Sequence, residues 1–377
     1  MADETPPIVK IVLHTLINIG FTLFASIFTL LVFIFVGLGF LSIYSCLVLS
    51  IVLWSFFYVV IFWAKHEKLP SHRIDRFLDN EEEGDAIIGH RGGAKEAPEN
   101  TLAAIEECFV CLLDNNLKQN ILLDRTVLSK AKKNGAYAVE VDIGITKDGV
   151  AVLLHDWTVD RTTDGVGLIS EMTLQEAKRL NAAAKFSNRS KFSLEVIPTL
   201  DECVEKCLEL NLKIFFDVKD FSDKVVSILT DLYEKYPKLL DMGMVCSFIP
   251  TVVYKLRRRN PEILTALTTS PRFFQTELKK SMFNVGGIPQ YLGYIMDSIM
   301  VWCEINWLWY LCGNSAVLLN KDLISQSVLD YWKARGIRVV PWTVNEPMQK
   351  AFFLNFHQLA IITDYVLTQE EKEAVDS

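Results

Sequence analysis

The sequence lacks the clustered positive charge of a nucleic-acid-binding protein. Its 377 residues carry a formal net charge of −8, and the short run Arg257-Arg258-Arg259 stands alone. A basic patch or stripe is the usual electrostatic footprint of nucleic acid recognition. We therefore expect no nucleic acid partner.

Cysteine patterns typical of zinc sites or disulfide frameworks are also missing. The chain has eight cysteines; Cys108 and Cys111 form a single C-x-x-C, and Cys203 and Cys207 lie one helical turn apart. Neither pair comes with the second half of a zinc pattern, and the spacing is not that of a dense disulfide framework. We expect the cysteines to be small buried side chains.

Charge is absent from one long N-terminal stretch. No Asp, Glu, Lys or Arg occurs from Ile11 to Ala64. One bilayer crossing takes about 20 apolar residues, whereas the apolar core of a signal peptide has only about 7–15. Residues 1–64 are therefore predicted to be a membrane region with two transmembrane helices that break at Val36–Gly39. One long tilted or re-entrant anchor is the alternative.

The composition beyond this region is that of a globular domain. Residues 65–84 are polar and are predicted to be a juxtamembrane linker, 85–370 a single domain, and 371–377 a tail. Within the domain, short apolar runs alternate with longer helical patterns, which favours a parallel sheet. About eight such units predict an α/β fold, a (β/α)8 TIM barrel preceded by a transmembrane helical hairpin.

The predicted strands are Asp85–Gly89, Ala136–Ile143, Val150–Leu154, Lys213–Val218, Met244–Phe248, Ile263–Leu267, Ala316–Leu319, Arg338–Trp342 and Leu359–Ile362. The third of these runs is also compatible with a segment that continues the second strand or pairs with it.

Two segments interrupt the regular alternation and are predicted to be insertions, at 112–130 and at about 270–313. The second contains the apolar, tryptophan-rich stretch Tyr291–Gly313, with Asp297 and Glu304 inside it. Each charge at the centre of a membrane helix costs roughly 2.5–3.5 kcal/mol on insertion scales. We favour a barrel insertion that contacts the bilayer surface over a third membrane segment.

Carboxylates occupy one face of two predicted strands. Side chains alternate between faces along a strand, so Glu140 and Asp142 share one face, and Asp217 shares a face with Lys219. Carboxylates that point into a closed barrel repel each other unless positive charge lies between them. Oxygen ligands suit a hard cation such as Mg²⁺ or Ca²⁺. A surface-facing strand and a salt bridge inside the barrel are the alternatives for the first pair.

Two histidines end other predicted strands. His90 and Arg91 follow Ala86–Gly89, and His155 follows Leu154. The active sites of (β/α)8 barrels lie at the carboxyl ends of the strands. Two imidazoles can divide acid and base roles near neutral pH, while a metal and cationic side chains stabilise charge on phosphoryl oxygens. The set favours displacement at phosphorus.

These residues lie in segments that resemble the glycerophosphodiester phosphodiesterase family. The segments are H-R-G-G-x6-P-E-N-T (His90–Thr101), V-E-V-D (Val139–Asp142), H-D-x-T-V-D-R-T-T-D-G-x-G (His155–Gly167), I-P-T-L-x-E (Ile197–Glu202), F-F-D-V-K (Phe215–Lys219), W-T-V-N (Trp342–Asn345) and I-T-D (Ile362–Asp364). The charge-free run and F-F-D-V-K make the chain most similar to the animal membrane-anchored enzymes that act on glycerophosphoinositol and related diesters.

The resemblance implies a (β/α)8 barrel and the hydrolysis of a glycerophosphodiester to an alcohol and glycerol 3-phosphate, with one divalent cation, Mg²⁺ or Ca²⁺. By motif, the roles carried over are catalysis by His90 and His155, metal binding by Glu140, Asp142 and Asp217, and phosphate contact by Arg91 and Lys219. Attack by the substrate's own glycerol hydroxyl, through a cyclic phosphate, is the mechanism that the family suggests. Asp217 stands where the wider family often has Glu.

Other polar and aromatic residues have two interpretations each. Asn100 precedes a helical pattern and is expected to be an N-cap, with a contact to the site as the alternative. Trp342 is expected to line the substrate pocket, with a core position as the alternative. The 112–130 insertion is either an ordered surface extension or a splice-variant feature that disturbs the His90 turn.

Sidedness is predicted from the resemblance rather than from charge. An even number of spans places the N-terminus and the catalytic domain on one side, and the basic residues of the linker favour the cytoplasm. The related animal enzymes instead imply a lumenal or extracellular domain of a multi-pass protein in the plasma membrane or endomembranes. Asn188 begins the only N-x-[ST] sequon and is the glycosylation candidate.

Three functions are open on the sequence alone. The favoured one is metal-dependent hydrolysis of soluble glycerophosphodiesters by a membrane-anchored enzyme. A lysophospholipase D that acts on membrane lysolipids is the alternative, because the membrane region brings the site close to lipid. An inactive membrane interaction protein is the third, which the 112–130 insertion motivates.

Overall fold

The structure is a computed structural model that describes residues 43–79, 86–110, 136–188, 191–276 and 288–366. The insertion predicted at 112–130 and the tail at 371–377 lie outside these ranges. So does the first predicted membrane helix, and in the helix Ile43–Ala64 the side chains are described without a gap only over 48–64. Where side chains are described, no helix combines the length and the hydropathy of a membrane span.

Nine strands form the central sheet: β1 Ile87–Gly89, β2 Ala138–Ile145, β3 Ala151–Leu153, β4 Lys213–Val218, β5 Gly243–Ser247, β6 Leu264–Thr269, β7 Ala316–Asn320, β8 Arg338–Trp342 and β9 Ile361–Thr363. Eight of them are parallel, in the order β8-β7-β6-β5-β4-β2-β1-β9. The backbone N–H of Val344 donates to the carbonyl of Ile362 at 2.8 Å and joins the two end strands. The α/β fold is thus a nearly closed, TIM-like barrel, as the strand alternation predicted.

The third predicted strand has the alternative role that the sequence left open. β3 pairs antiparallel with β2, with Ile143 opposite Leu153. It therefore lies outside the ring of eight parallel strands and directs the chain to His155.

Helices fill the connections between the strands. Their bounds are α1 Ile43–Ala64, α2 Ser71–Leu78, α3 Leu102–Val110, α4 Leu174–Ala177, α5 Leu200–Glu209, α6 Asp223–Lys235, α7 Leu239–Met242, α8 Pro250–Arg259, α9 Ile288–Cys303, α10 Trp309–Cys312, α11 Gln326–Lys333 and α12 Pro347–Ala351. Short 3₁₀ turns occur at His90–Gly92, Ile169–Glu171 and Lys321–Leu323, and π-helical turns at Glu304–Leu308 and Phe352–Phe356.

Alternation along β2 separates the core from the barrel interior. Val139, Val141 and Ile143 are buried in the cluster that the strands form with the surrounding helices. Glu140 and Asp142 face the other way, into a cavity at the barrel's carboxyl end. This is the arrangement that the two-residue period predicted.

The predicted linker at 65–84 contains a helix that closes the amino end of the barrel. In α2, Ile74, Phe77 and Leu78 are buried at helical spacing in the same cluster as interior barrel residues. The Phe77 ring lies 5.2 Å from that of Phe215. Lys213, which begins β4, donates to the carbonyl of Phe77 at 2.9 Å. The segment predicted to be a juxtamembrane linker thus includes a helix that packs on the barrel.

The tryptophan-rich stretch belongs to the connection between β6 and β7, as the favoured interpretation expected. Asp297 accepts a hydrogen bond from the backbone N–H of Phe274 at 2.8 Å, and Glu304 accepts one from Thr269 Oγ1 at 2.6 Å. Burial raises the pKa of Glu304 to about 8, so this acid is protonated at neutral pH. Both acids face protein and are bonded there.

The described cysteines match the expectation of small buried side chains. They are free and buried, at Cys108, Cys203, Cys207, Cys246, Cys303 and Cys312.

Candidate active site

The first part of the site is a tight turn at the end of β1. The backbone of Arg91 is left-handed, with φ 54°, and the next two residues, Gly92 and Gly93, have φ 77° and 84°. A Cβ on Gly92 would lie 2.8 Å from that of Ala104 on α3. Only glycine combines this backbone with so close an approach, and the turn can therefore direct two neighbouring side chains into one cavity.

His90 is oriented by a carboxylate that follows the neighbouring strand, β9. Its Nδ1 lies 2.6 Å from Oδ1 of Asp364, which follows β9. Asn345 holds the other oxygen of Asp364 at 2.7 Å through its Nδ2. The second ring nitrogen, Nε2, is left facing the site, 3.9 Å from Oε2 of Glu140. A proton on Nδ1 leaves Nε2 free for proton transfer.

His155 has a similar arrangement at the end of β3. Its Nδ1 lies 2.7 Å from Oδ1 of the next residue, Asp156. Burial, together with the positive charge of Lys219, lowers the pKa of His155. The neutral imidazole is therefore favoured at neutral pH, with Nε2 again available.

Three buried carboxylates lie between the histidines. One oxygen each from Glu140, Asp142 and Asp217 falls within 4.8 Å of the others. Burial, then the charges of Asp142 and Asp217, raise the pKa of Glu140 well above its ordinary value. Burial likewise raises the pKa of Asp217 to about 6, against the opposing charge of Lys219. Lys219 Nζ lies 3.4 Å from Oδ2 of Asp217, yet the pKa values of both carboxyl groups stay raised.

Asp142 contacts two cationic side chains. Its Oδ1 accepts from Lys219 Nζ at 2.5 Å, and its Oδ2 lies 3.6 Å from Arg91 Nε. Burial alone would raise its pKa, but Lys219, His155 and Arg91 hold the pKa of Asp142 well below the usual range. Asp142 is therefore ionised throughout the physiological range.

Asn100 makes the site contact, so the N-cap prediction is wrong. Its Nδ2 donates to Oδ2 of Asp142 at 2.9 Å, and its Oδ1 accepts the backbone N–H of Asp142 at 3.1 Å. The cap of α3 is the next residue, Thr101, whose Oγ1 accepts from the backbone N–H of Ala104 at 3.1 Å. A left-handed backbone at Asn100, φ 57°, turns its amide into the barrel.

The donor set fits a divalent cation. Oδ1 of Asp217 is buried and has no hydrogen-bond partner among the described residues, which is costly for a carboxylate oxygen unless another group binds it. Three carboxylates of this kind match the oxygen ligands of Mg²⁺ and Ca²⁺. Glu140, Asp142 and Asp217 therefore form a possible metal site.

Arg91 is held on both sides. Its backbone N–H donates to Oε2 of Glu140 at 2.8 Å, and its Nη1 donates to Oε1 of Glu99 at 3.0 Å. Burial opposes the charge, but Asp142 and Glu99 raise the pKa of Arg91 above its ordinary value. Arg91 is a fixed cation next to the carboxylate cluster.

One cavity of about 300 Å³ brings these groups together. Eight predicted side chains line it: His90, Arg91, Glu140, Asp142, His155, Asp217, Lys219 and Trp342. An aromatic wall forms its other side, with the ring centroid of Phe248 4.8 Å from that of Phe273 in a stacked pair and 5.7 Å from that of Trp342 in a T-shaped pair. Within the part of the chain that the structure describes, the buried Nε1 of Trp342 has no hydrogen-bond partner. A polar, charged half and an aromatic half thus share one opening.

The orienting residues Asp364 and Asn345 were not predicted as site residues. The sequence signal was present, because both follow apolar strands in I-T-D and W-T-V-N. The glycosylation candidate Asn188 is exposed, while the two residues that complete its sequon, 189 and 190, lie outside the described ranges.

Comparison with known proteins assigns this arrangement to a family. Residues 125–368 match the model of the glycerophosphoryl diester phosphodiesterase family. Glycerophosphodiester phosphodiesterase 1 of Mus musculus is 40% identical over 318 residues, which cover 82% of this chain and 86% of that protein. The protein of the same name from Homo sapiens is 40% identical over 306 residues, which cover 79% and 83%.

Solved structures share the fold at lower identity. A phosphodiesterase of Oleispira antarctica in complex with the product sn-glycerol-3-phosphate has a TM-score of 0.53 and 24% identity, and the match covers 77% of this chain and 96% of that one. A glycerophosphodiester phosphodiesterase from Agrobacterium tumefaciens has a TM-score of 0.52 and 18% identity, with 75% of this chain and 97% of that one covered. The chain belongs to the glycerophosphoryl diester phosphodiesterase family and is a phosphoric diester hydrolase.

Proposed function

We propose that the protein is a membrane-anchored enzyme that uses one divalent cation to hydrolyse glycerophosphoinositol and related glycerophosphodiesters to an alcohol and glycerol 3-phosphate. The observation that carries this proposal is the unpartnered Oδ1 of Asp217, buried among two further carboxylates in a cavity with two imidazoles. The product in the Oleispira antarctica complex supports glycerol 3-phosphate as the product here.

Glu140, Asp142 and Asp217 would hold the cation, Mg²⁺ or Ca²⁺. When bound, it supplies Lewis-acid stabilisation of charge on the phosphoryl oxygens. The three carboxylates would lose their mutual repulsion at the same time. The ligand atoms already lie within 4.8 Å of one another, so little reorganisation is needed.

His90 and His155 would divide the proton transfers. Each has its Nδ1 bonded to a carboxylate, at 2.6 and 2.7 Å, which leaves Nε2 of both rings for the substrate. One ring starts neutral and its Nε2 takes the proton from the attacking hydroxyl; the other starts as the imidazolium and its Nε2 gives a proton to the leaving alcohol oxygen. The family suggests the substrate's glycerol hydroxyl as the first nucleophile, followed by water with the two roles reversed.

Arg91 and Lys219 would bind the phosphate. Both are cations that line the cavity beside the carboxylates, and donors fixed before the reaction stabilise charge that develops at phosphorus. Trp342 would contact the substrate through its edge or its free Nε1–H.

The test is a substrate panel of soluble glycerophosphodiesters, assayed with and without chelator. We expect turnover that chelation abolishes and that added Mg²⁺ or Ca²⁺ restores. His90→Ala and His155→Ala should each lower kcat by roughly 10²–10⁴-fold, whereas His72→Ala, in α2 away from the cavity, should not. Full turnover in chelator would contradict the metal role.

A lysophospholipase D activity is the second candidate. It is favoured by the exposed apolar residues Tyr291, Leu292 and Ile295 on α9, because this helix belongs to the same β6–β7 connection as Phe273 of the aromatic wall. Competition between glycerophosphoinositol and a lysophospholipid in one assay separates the two functions. Preference for the lysolipid would replace the first proposal.

The membrane attachment is proposed for residues 1–64, as two spans ahead of the catalytic domain over 85–370. Support comes from the charge-free run to Ala64 and from the exposed Val48, Ile51 and Trp63 of α1. A lumenal or extracellular domain in the plasma membrane or endomembranes predicts glycosylation of Asn188. Expression in secretory-pathway cells should give a glycosidase-sensitive mass shift that Asn188→Gln removes, and a missing shift would contradict this sidedness.

A further inference from the structure

Glu99 and Arg161 are close to the cavity but have no part in the roles proposed above. Glu99 lies in P-E-N-T after β1, and Arg161 lies in H-D-x-T-V-D-R after β3. Arg161 donates from Nη1 to Oε2 of Glu99 and from Nη2 to Oε1, both at 2.7 Å. Such a bidentate pair fixes the relative orientation of the two side chains as well as their distance.

The same guanidinium also reaches the His155 side of the site. Its Nε–H donates to Oδ2 of Asp156, whose other oxygen, Oδ1, lies 2.7 Å from His155 Nδ1. Arg161 therefore holds the carboxylate that orients the imidazole.

Glu99 extends the connection to the phosphate side. Its Oε1 accepts from Arg91 Nη1 at 3.0 Å, in addition to the bonds from Arg161. A continuous chain of charged hydrogen bonds thus runs from Arg91 through Glu99, Arg161 and Asp156 to His155. It joins the segment after β1 to the segment after β3 at the rim of the barrel.

Burial and charge indicate that this chain is well ordered. The side chains of Glu99 and Asp156 are only 15% and 23% exposed, while that of Arg161 is 48% exposed. Two carboxylates face two guanidiniums, so the chain is neutral as a unit. Burial alone would raise the pKa of Glu99, but the hydrogen bonds and charges of Arg161 and Arg91 lower it. The bonds are therefore between ionised groups over the physiological range.

We propose that Glu99 and Arg161 are positioning residues that set the distance and orientation of Arg91 relative to His155. Neither contacts the reacting atoms; each acts through its neighbour. The inference depends on the proposed roles of Arg91 at the phosphate and of His155 in proton transfer.

Loss of Arg161 would break the series of hydrogen bonds in the middle and free both Asp156 and Glu99 from it. Asp156 could then rotate with His155, and Glu99 would hold Arg91 alone. A misplacement of about 1 Å in a reacting group can cost roughly 10²-fold in rate. Binding of the substrate would change less, because the cavity and its other cation, Lys219, remain.

The test is steady-state kinetics of the full chain on a soluble glycerophosphodiester. Arg161→Ala should lower kcat by about 10²-fold with KM within about threefold of wild type. Arg161→Lys should restore only part of kcat, since one ammonium cannot replace three donors in a rigid plane.

The double variant Glu99→Gln/Arg161→Ala should have a kcat no lower than that of the more harmful single variant, because the two residues act as one unit. The matched control is Arg179→Ala, because Arg179 is exposed and lies in the same connection between β3 and β4 as Arg161.

Three results would overturn the proposal. They are a kcat of Arg161→Ala within about twofold of wild type, a loss that equals the fall in folded fraction by circular dichroism, and additive effects in the double variant. Failure of the proposed function looks different: the wild type would not turn over the diester, or His155→Ala would stay fully active. The wild type and His155→Ala are therefore assayed in parallel.

Discussion

Asp217 is the residue whose environment most directly requires a ligand. Asp217→Asn removes one negative charge but keeps the shape, so the metal-free protein should be at least as stable at pH 7.5 as wild type, because like-charge repulsion falls. Added Mg²⁺ or Ca²⁺ should no longer raise the melting temperature, and kcat should fall by roughly 10³-fold. Asp241→Asn makes the same chemical change at an exposed position and should retain both properties. A full metal-induced shift in Asp217→Asn would contradict the assignment.

The raised pKa of Asp217 predicts how metal binding depends on pH. In the folded, metal-free protein its pKa is about 6, against an ordinary value of 3.8. The stability that the protonated group contributes is complete below about pH 4 and is lost as the pH rises through about 6. A cation binds the ionised form, so a fixed concentration of Mg²⁺ should raise the melting temperature more at pH 7.5 than at pH 5. An equal rise at both values would show that Asp217 is not a ligand.

Residue-level prediction succeeded where chain position alone decides which way a side chain points. The carboxylates and histidines lie at or near strand ends, and the two-residue period gives the face of Glu140, Asp142 and Asp217. It failed at Asn100, because the left-handed backbone at that residue has no reliable signal in the sequence. The Asp364–His90 contact spans 274 positions and arises only when the barrel brings its last strand next to its first.

At the scale of elements, the helix α2 has a structural role that its polar sequence concealed. Apolar residues at 74, 77 and 78 are too few to stand out in a short segment, yet they fill the amino end of the barrel. The prediction of nine strands succeeded because each is a short apolar run between turn signals. The sequence did not predict the packing of α2, because its burial depends on the finished barrel and on partners such as Lys213.

Phe77→Ala tests the role of this helix. Removal of the buried ring should destabilise the protein by about 3–5 kcal/mol in chemical denaturation, because it leaves a cavity against Phe215. The smaller change Phe77→Leu should cost less. Turnover per folded molecule should stay near wild type in both variants, since the active site is at the opposite end of the barrel. A cost below about 1 kcal/mol for Phe77→Ala would show that α2 does not support the barrel.

At the scale of the whole molecule, exposed apolar surface on α9 and α1 tests the proposed attachment to a bilayer. The ring of Phe57 lies 5.7 Å from that of Trp307, in the π-helical turn after α9, so the proposed anchor and the β6–β7 connection are in contact. A photoreactive amino acid at Tyr291 or Ile295 should form lipid adducts in nanodiscs that hold the full chain. The same probe at Val166, equally apolar and 77% exposed, should not.

Flotation of the labelled protein with liposomes tests the membrane anchor separately from the contact of α9 with lipid. Protein that floats but gives no lipid adducts from α9 would retain the anchor and exclude the contact. Adducts to residues 1–42 would show that the chain's own N-terminal segment covers α9. Protein that does not float would contradict the anchor itself.

The central claim is that the site hydrolyses a glycerophosphodiester with glycerol 3-phosphate as the phosphate-bearing product, and that the buried carboxylates are required. The most direct measurement is ³¹P NMR of a glycerophosphoinositol digest by wild type and by Glu140→Gln, each with Mg²⁺ or Ca²⁺. We expect wild type to convert the diester signal to glycerol 3-phosphate, and Glu140→Gln to leave the diester unchanged. Inositol phosphate as the phosphorus-bearing product, or undiminished turnover by Glu140→Gln, would contradict the account.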